Sequence, residues 1–334
     1  MNTTLQSFAD KLSALAAPVV LAGGSKNINS QALFAALLNN ELRRQAGPEA
    51  HTQADHVVAQ YFKAVLLCRA SKLPEAQACL QATDALMPAL PALTLDFVTL
   101  FQLSAWGNYY YKTGESDTAI GLLRQGLGIS AGLERQGYGA LVYRRFEQLQ
   151  NIANILLKAG QAAEAHQLLK NALVYAHSGH ASGLLIDDWE PAAVGRVPVL
   201  QDSTLEALFS QLASQNTANM GQPGYDHAYY YAFCQDLLRD LTTDTYNRTV
   251  LYNWMYVKAS WFEQGPDAFL ANVLEFITDP EISASYDVFK GNLLAQALSV
   301  FRPQPADSRL VDTVKHFAET RLTDRYGKAI RLAA

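Results

Sequence analysis

A chain of 334 residues with 49% hydrophobic and 17% charged residues can form a large core, which excludes disorder along its whole length. The net charge of -5 and the pI near 5.8 argue against a general affinity for nucleic acid or anionic membrane, because both require a basic surface. Three cysteines without CxxC spacing argue against a disulfide framework and favour a reducing, cytoplasmic setting.

The N-terminal segment has the apolar spacing of a helix. Leu5, Phe8 and Leu12 fall three to four residues apart, and Ser30 can cap a second amphipathic stretch. Residues 12–24 have the length of the apolar region of a signal peptide, but the segment before them carries Asp10 beside Lys11 and no clear positive charge. No stretch of the sequence approaches the ~20 apolar residues that a membrane span requires. The sequence therefore predicts N-terminal helices over residues 1–56 and no membrane partner.

The middle of the chain repeats one pattern of residues three times. Apolar residues recur at helical spacing, and alternating stretches of Val, Ile and Thr are absent, which predicts an all-α protein. Units that begin at Val57, Leu100 and Phe146 share a small residue at position 8, a large one at position 11 and a small one at position 20. In unit order, these residues are Ala64, Leu67 and Ala76; Gly107, Tyr110 and Ala119; and Ala153, Leu156 and Ala165.

This pattern resembles the tetratricopeptide repeat (TPR), in which small residues lock two helices of a hairpin together. The resemblance covers residues 57–178 and implies three antiparallel helix hairpins stacked in a TPR-like superhelix. Trp106 and the turn glycine Gly114 also stand where the family has a large residue and a glycine. Because the units begin 43 and 46 residues apart, whereas the family repeat has about 34, we predict longer helices or connections.

Small residues explain the spacing of the pattern. Two helices cross closely only where small side chains let their backbones approach. Gly114 should adopt the left-handed conformation that ends a helix, and the polar residues after it should cap the next helix. We expect close contacts at three pairs: Gly107 with Ala119, Ala64 with Ala76, and Ala153 with Ala165.

Residues 179–202 are rich in Gly and Pro and have few periodic apolar positions, which predicts an irregular connection and a domain boundary. Helical periodicity resumes in residues 203–334, so a C-terminal helical region is predicted there. The spacing of the possible metal ligands around the connection matches no metal-binding template, and we predict solvated loop side chains with no metal. These side chains are His177, His180, Asp187, Asp188 and Glu190.

The TPR resemblance implies a binding groove lined by the first helix of each hairpin, at positions 2, 5, 9, 12 and 13. In related proteins, asparagines and basic residues there hold the backbone or the carboxylate of an extended peptide, which suits the chemistry of amides and cations. The helix dipole would favour the basic residues even without a ligand. The predicted peptide-binding residues are Tyr61, Arg69, Phe101, Asn108, Tyr111, Lys112, Gln150, Asn154 and Lys158.

Three hypotheses about function remain open at this point. The leading hypothesis is a non-enzymatic scaffold or regulator that binds a protein or peptide without a cofactor, because no catalytic constellation is recognisable. The alternative is an enzyme or small-ligand-binding protein whose pocket is walled by aromatic C-terminal helices, with Asp226, His227 and Tyr230 inside. A third hypothesis is a homo-oligomer formed through these tyrosine-rich helices.

Overall fold

The computed structural model describes residues 3–16, 30–219, 245–282, 284–300 and 308–322. Every regular element in these ranges is a helix, and none of the residues within them forms a strand. The predicted all-α class is therefore confirmed for this part of the chain. No helix that the structure describes is long and apolar enough to cross a membrane.

Contacts divide the chain into two compact units. Residues 26–208 form one unit, and residues 1–25 with 209–334 form the other. The α-helices, in chain order, are α1 (Thr3–Leu15), α2 (Ser30–Ala46), α3 (Pro48–Arg69), α4 (Leu73–Asp84), α5 (Ala92–Thr113), α6 (Ser116–Arg135), α7 (Leu141–Lys158), α8 (Ala162–Ser178), α9 (Pro198–Asn219), α10 (Thr245–Glu263), α11 (Pro266–Thr278), α12 (Asp287–Val300) and α13 (Ser308–Arg321). Short 3-10 helices occur at Met87–Ala89, Val194–Arg196 and Ala284–Tyr286.

Three helix hairpins, α3–α4, α5–α6 and α7–α8, make up most of the unit of residues 26–208. The two helices of each hairpin contact each other, and α3 also contacts α5 while α6 contacts α7, an arrangement compatible with a helical repeat. The first helices begin before the predicted units do: α3 begins at Pro48, α5 at Ala92 and α7 at Leu141. Part of the additional length of each unit, compared with the family repeat of about 34 residues, therefore lies in the first helix of each hairpin.

Gly107 brings α5 and α6 together. A Cβ atom on Gly107 would lie 3.5 Å from the backbone oxygen of Ala119 and 3.4 Å from Cγ of Leu123, which confirms the expected contact between Gly107 and Ala119. Full burial is also found at the other small residues of the repeated pattern, Ala64, Ala76, Ala153 and Ala165. A larger side chain at position 107 would have to push α6 away.

We expect Gly107→Ala and Gly107→Leu to have opposite effects on the free energy of unfolding. A methyl group meets its neighbours at ordinary contact distance, so Gly107→Ala should gain about 0.5–1 kcal/mol from helix propensity. Gly107→Leu should lose about 1–3 kcal/mol because its further carbons need space that Leu123 and α6 occupy. Urea unfolding measures both, and equal stability of the two variants would contradict a close approach here.

The same turn geometry ends the first helix of all three hairpins. The backbone angle φ is 59° at Ser71, 92° at Gly114 and 81° at Gly160, so Gly114 has the expected left-handed conformation. The next residue donates its backbone N–H to the carbonyl five residues back at N···O distances of 2.8–3.0 Å: Lys72 to Leu67, Glu115 to Tyr110, and Gln161 to Leu156. The expected polar cap after Gly114 is wrong, because Glu115 at the N-cap of α6 makes no side-chain capping hydrogen bond.

Ser71 is the residue with a Cβ atom among these three turn positions, and left-handed backbone is unfavourable for such a residue. Ser71→Gly should therefore raise the free energy of unfolding by about 1 kcal/mol, as measured by chemical denaturation. Ser71→Ala is the matched control, since it keeps the Cβ atom and should bring no gain. An equal gain from both variants would show that backbone strain is not the cause.

The connection between α8 and α9 packs on the third hairpin. Trp189 is buried, and the guanidinium carbon of Arg145 lies 3.6 Å from the centroid of its ring. The ring of Tyr175 contacts Trp189 edge to face at 4.9 Å, and its hydroxyl donates to the backbone oxygen of Glu190 at 2.7 Å. These contacts place the connection inside the unit of residues 26–208, whereas the sequence predicted a boundary at 179–202.

The other unit has an aromatic core of its own. Trp254 on α10 is fully buried and stacks on Phe289 of α12 at a centroid distance of 4.7 Å. Asn292 accepts hydrogen bonds from the indole N–H of Trp254 at 3.2 Å and from Nζ of Lys258 at 2.9 Å. Helix α1 contacts α11 and α13, and Arg321 of α13 donates to the backbone oxygen of Leu15 at 2.6 Å. The described part of the predicted C-terminal region is therefore helical.

Candidate functional site

A cleft of about 330 Å³ lies between α5 and α7 in the unit of residues 26–208. Six of the ten residues that line it have a polar side chain, and Leu123 of α6 with Ile155 and Leu157 of α7 contribute apolar ones. The ten residues that line it are Ser104, Gly107, Asn108, Tyr111, Leu123, Asn151, Asn154, Ile155, Leu157 and Lys158.

Each of the two long helices presents one face to the cleft. On α5 the lining residues run from Ser104 to Tyr111 at spacings of i, i+3, i+4 and i+7, which is one stripe of an α-helix. The lining residues of α7 from Asn151 to Lys158 repeat the same spacing, with Leu157 beside them. Gly107 stands in the α5 stripe, so its lack of a side chain leaves room in the cleft as well as beside α6.

Positive charge gathers at one end of the cleft. The Nζ atom of Lys158 lies 4.6 Å from the centroid of the Tyr111 ring, and Nζ of Lys112 lies 6.0 Å from the same centroid. Both distances are within the range of a cation–π contact. None of the ten described residues that line the cleft is acidic. The cleft can therefore offer amide, hydroxyl and ammonium groups to a ligand that carries carbonyl or carboxylate oxygens.

Asn108 has an unpaired amide oxygen. Its Oδ1 atom is buried and has no hydrogen-bond partner in the structure. Such an oxygen costs about 1–3 kcal/mol relative to one that accepts a hydrogen bond.

Four of the nine residues predicted to bind a peptide line this cleft: Asn108, Tyr111, Asn154 and Lys158. Lys112 lies beside the Tyr111 ring without lining the cleft, and its ammonium group partly offsets the rise that burial causes in the pKa of the Cys68 thiol. Arg69 is exposed at the end of α3, and Gln150 is partly buried on α7; neither lines the cleft.

Two predicted groove residues are core residues instead. Tyr61 is 1% exposed and Phe101 is 6% exposed, so neither is presented to a ligand. The ring of Phe101 contacts Phe97 at 5.2 Å, and the guanidinium carbon of Arg144 lies 4.3 Å from its centroid. The prediction was wrong at these positions because α3 and α5 pack side by side and use them for their contact.

Tyr61 donates its hydroxyl to a carboxylate that joins three helices. Asp84, the last residue of α4, accepts from the Tyr61 hydroxyl at 2.7 Å, from Nε2 of Gln102 at 2.7 Å and from Nε1 of Trp106 at 3.0 Å. Burial and then the Asp84 carboxylate raise the pKa of the Tyr61 phenol. Trp106 also stacks on Tyr110 of the same helix at a centroid distance of 5.7 Å. Its hydrogen bond to Asp84 therefore connects the aromatic cluster of α5 to the first hairpin.

We expect Asp84→Ala to lower the free energy of unfolding by about 1–3 kcal/mol, because it leaves the donors of Tyr61, Gln102 and Trp106 without their acceptor. Asp96→Ala, which removes an exposed carboxylate from α5, is the matched control and should change stability by less than about 0.5 kcal/mol. Urea unfolding of both variants measures the difference. A loss of the same size in the control would contradict the role of Asp84.

Asn151, Ser104, Gly107, Leu123, Ile155 and Leu157 also line the cleft and were not predicted. The helical stripe supplies a signal for part of this set. Counting three residues back from Asn154 leads to Asn151, and four back from Asn108 leads to Ser104. Leu123 carries no such signal, because only the packing of α6 on α5 brings it to the cleft.

The other predicted sites have separate outcomes. Asp226, His227 and Tyr230, the alternative pocket residues, lie outside the described residues. Around the connection, Asp188 forms an ion pair with Arg135, and Glu190 forms one with Arg196 at 2.5 Å. Across the described ranges, no group of three or more His, Cys, Asp and Glu side chains is placed to hold a metal ion.

Comparison with known proteins finds no match for this chain among protein-family models, curated proteins or solved structures.

Proposed function

We propose that this protein is a non-enzymatic scaffold or regulator that binds a protein or a peptide segment in the cleft between α5 and α7. In this proposal the three hairpins stack as a TPR-like superhelix, and α3, α5 and α7 line its concave side. Support comes from the turn shared by the three hairpins and from the close contact at Gly107. The cleft is a part of that surface with room for a ligand.

The observation that carries the proposal is the set of groups that meet in the cleft. Three asparagines, a serine, a tyrosine and Lys158, from two helices, line one space. Amides donate to and accept from peptide groups in equal measure, and an ammonium group pairs with a carboxylate. A volume of about 330 Å³ stands at the low end of the ~300–1,000 Å³ typical of ligand sites, which suits a short segment of chain.

Helix dipoles alone account poorly for the positive charge of this site. Lys112 and Lys158 each stand in the last turn of a helix, where the dipole favours a cation without any ligand. The dipole gives no reason, however, for two ammonium groups from different helices to converge on one Tyr111 ring. The face of the Tyr111 ring attracts each ammonium group, and a ligand carboxylate beside that ring would pair with either cation.

A peptide-array experiment tests the proposal. The probe is an immobilised array of 12-residue peptides, and the test variant is Asn151→Asp with Lys158→Glu, two exposed cleft residues. We expect peptides that bind the original protein to bind this variant at least tenfold more weakly, because the change replaces an amide and a cation with two carboxylates. Fluorescence anisotropy with the best peptides gives the dissociation constants.

The matched control is Gln125→Asp with Arg124→Glu, which makes the same change of charge at exposed positions of α6 away from the cleft. Its affinity for the peptides should stay within twofold of the original. Equal weakening by both variants would reduce the effect to net charge, and unchanged binding by the cleft variant would remove the cleft from the function.

A further inference from the structure

Helix α3 exposes two large apolar side chains on one face. Phe62 is 52% exposed and Leu66 is 62% exposed, and residues four apart are neighbours on a helix surface. A single exposed apolar residue is ordinary in soluble proteins. Two adjacent ones form a patch that loses contact with water when a partner covers it. We call Phe62 and Leu66 the apolar stripe of α3.

The apolar stripe contacts Phe101 of α5, which lies one turn before the first residue of α5 that lines the cleft. The ring of Phe62 contacts the ring of Phe101 on α5 at a centroid distance of 5.8 Å, and Arg144 of α7 lies against the same Phe101 ring. Phe101 stands one turn before Ser104, which lines the cleft. A ligand segment in the cleft that continued toward the start of α5 would therefore meet the stripe.

Exposed cations lie near the stripe and the cleft. Lys63 and Arg69 are exposed on α3 near the stripe, and Lys112 and Lys158 stand at the end of the cleft. Among the residues that the structure describes, none of the four has a carboxylate within ion-pair distance, whereas Lys72 pairs with Glu75 at 3.5 Å. The whole chain has a net charge of -5 and these four cations contrast with that balance, although exposed Asp55 lies two turns before Phe62 on α3 and Glu147 pairs with Arg144 at 3.0 Å.

We propose that α3 and the cleft together bind an acidic segment of a partner protein, in which a bulky apolar side chain packs on Phe62 and Leu66 while carboxylates pair with the surrounding cations. The inference rests on the proposed function, because the same ligand segment occupies the cleft. Charge complementarity selects this occupant: the same face of a second copy would bring Lys63 and Arg69 against their own like charges. Burial of the apolar side chain supplies affinity, and the carboxylates supply orientation.

Designed peptides separate the two components of recognition. The probes are 12-residue fluorescent peptides with one phenylalanine and three glutamates at varied spacing, the same peptides with serine in place of phenylalanine, and the same peptides with glutamine in place of glutamate. We expect the parent set to contain the tightest binders and each replacement to weaken binding about tenfold. Binding of the parent peptides should also weaken as salt is raised from 50 to 500 mM, on the order of tenfold, because exposed charges are screened.

Protein variants show where each component binds. Phe62→Ser with Leu66→Ser should weaken the phenylalanine peptides about tenfold and leave the serine peptides unchanged. The control is Leu86→Ser with Leu93→Ser, which removes two other exposed leucines of the same unit and should change neither set. Lys63→Gln with Arg69→Gln should weaken the glutamate peptides and leave the glutamine peptides unchanged. Thermal unfolding checks that each variant is folded.

The outcomes separate this inference from the proposed function. If peptides bind and the cleft variant weakens them while the stripe variant does not, the cleft function stands and the apolar–acidic ligand is rejected. If the stripe variant weakens binding and the cleft variant does not, α3 is a docking surface and the cleft proposal fails. If the bound peptides lack acidic residues, or if the Leu86 and Leu93 control weakens them equally, the inference is overturned. If no peptide binds, both proposals fail.

Discussion

The approach of α5 to α6 at Gly107 is the constraint on which the candidate site depends. The missing side chain allows the Gly107 backbone to lie against Ala119 and Leu123, and the same gap forms part of the cleft wall. A helix pair held further apart would move Leu123 out of the cleft. It would also shift the stripe of α5 relative to α7, since α7 packs on α6. One residue thus sets both the packing and the space for a ligand.

Polar contacts then hold the elements around that helix pair. Asp84 joins α4 to α3 and α5 by accepting three hydrogen bonds. Trp189, in the connection between α8 and α9, packs against Arg145 of the third hairpin. Buried polar groups of this kind fix a particular arrangement because they tolerate few alternatives. The cleft therefore has walls that are positioned by contacts outside it, which keeps Asn108 and Lys158 on opposite helices at a defined separation.

Much of the local structure could be predicted from the sequence, and the pattern of burial between helices could not. Helical spacing and the turn at Gly114 predicted the elements, and Asn108 and Lys158 were predicted on a helix face that does line a cleft. The position of a residue in the repeat does not show which side of its helix the neighbouring helix covers. Tyr61 was therefore predicted on the groove surface, whereas it is buried and its hydroxyl donates a hydrogen bond to Asp84. Trp189 carried no periodic signal, because its burial comes from contacts distant in sequence.

The left-handed serine at the corner of the first hairpin has a consequence for local motion. A residue that strains its own backbone lowers the free energy needed to open the turn around it, so we expect backbone amides near Ser71 to exchange with solvent sooner than those at the glycine corners. The corner joins α3, which carries Phe62 and Leu66, to α4. Opening of this corner would therefore loosen the last turn of α3, next to Leu66, more readily than opening of the glycine corners would loosen α5 or α7.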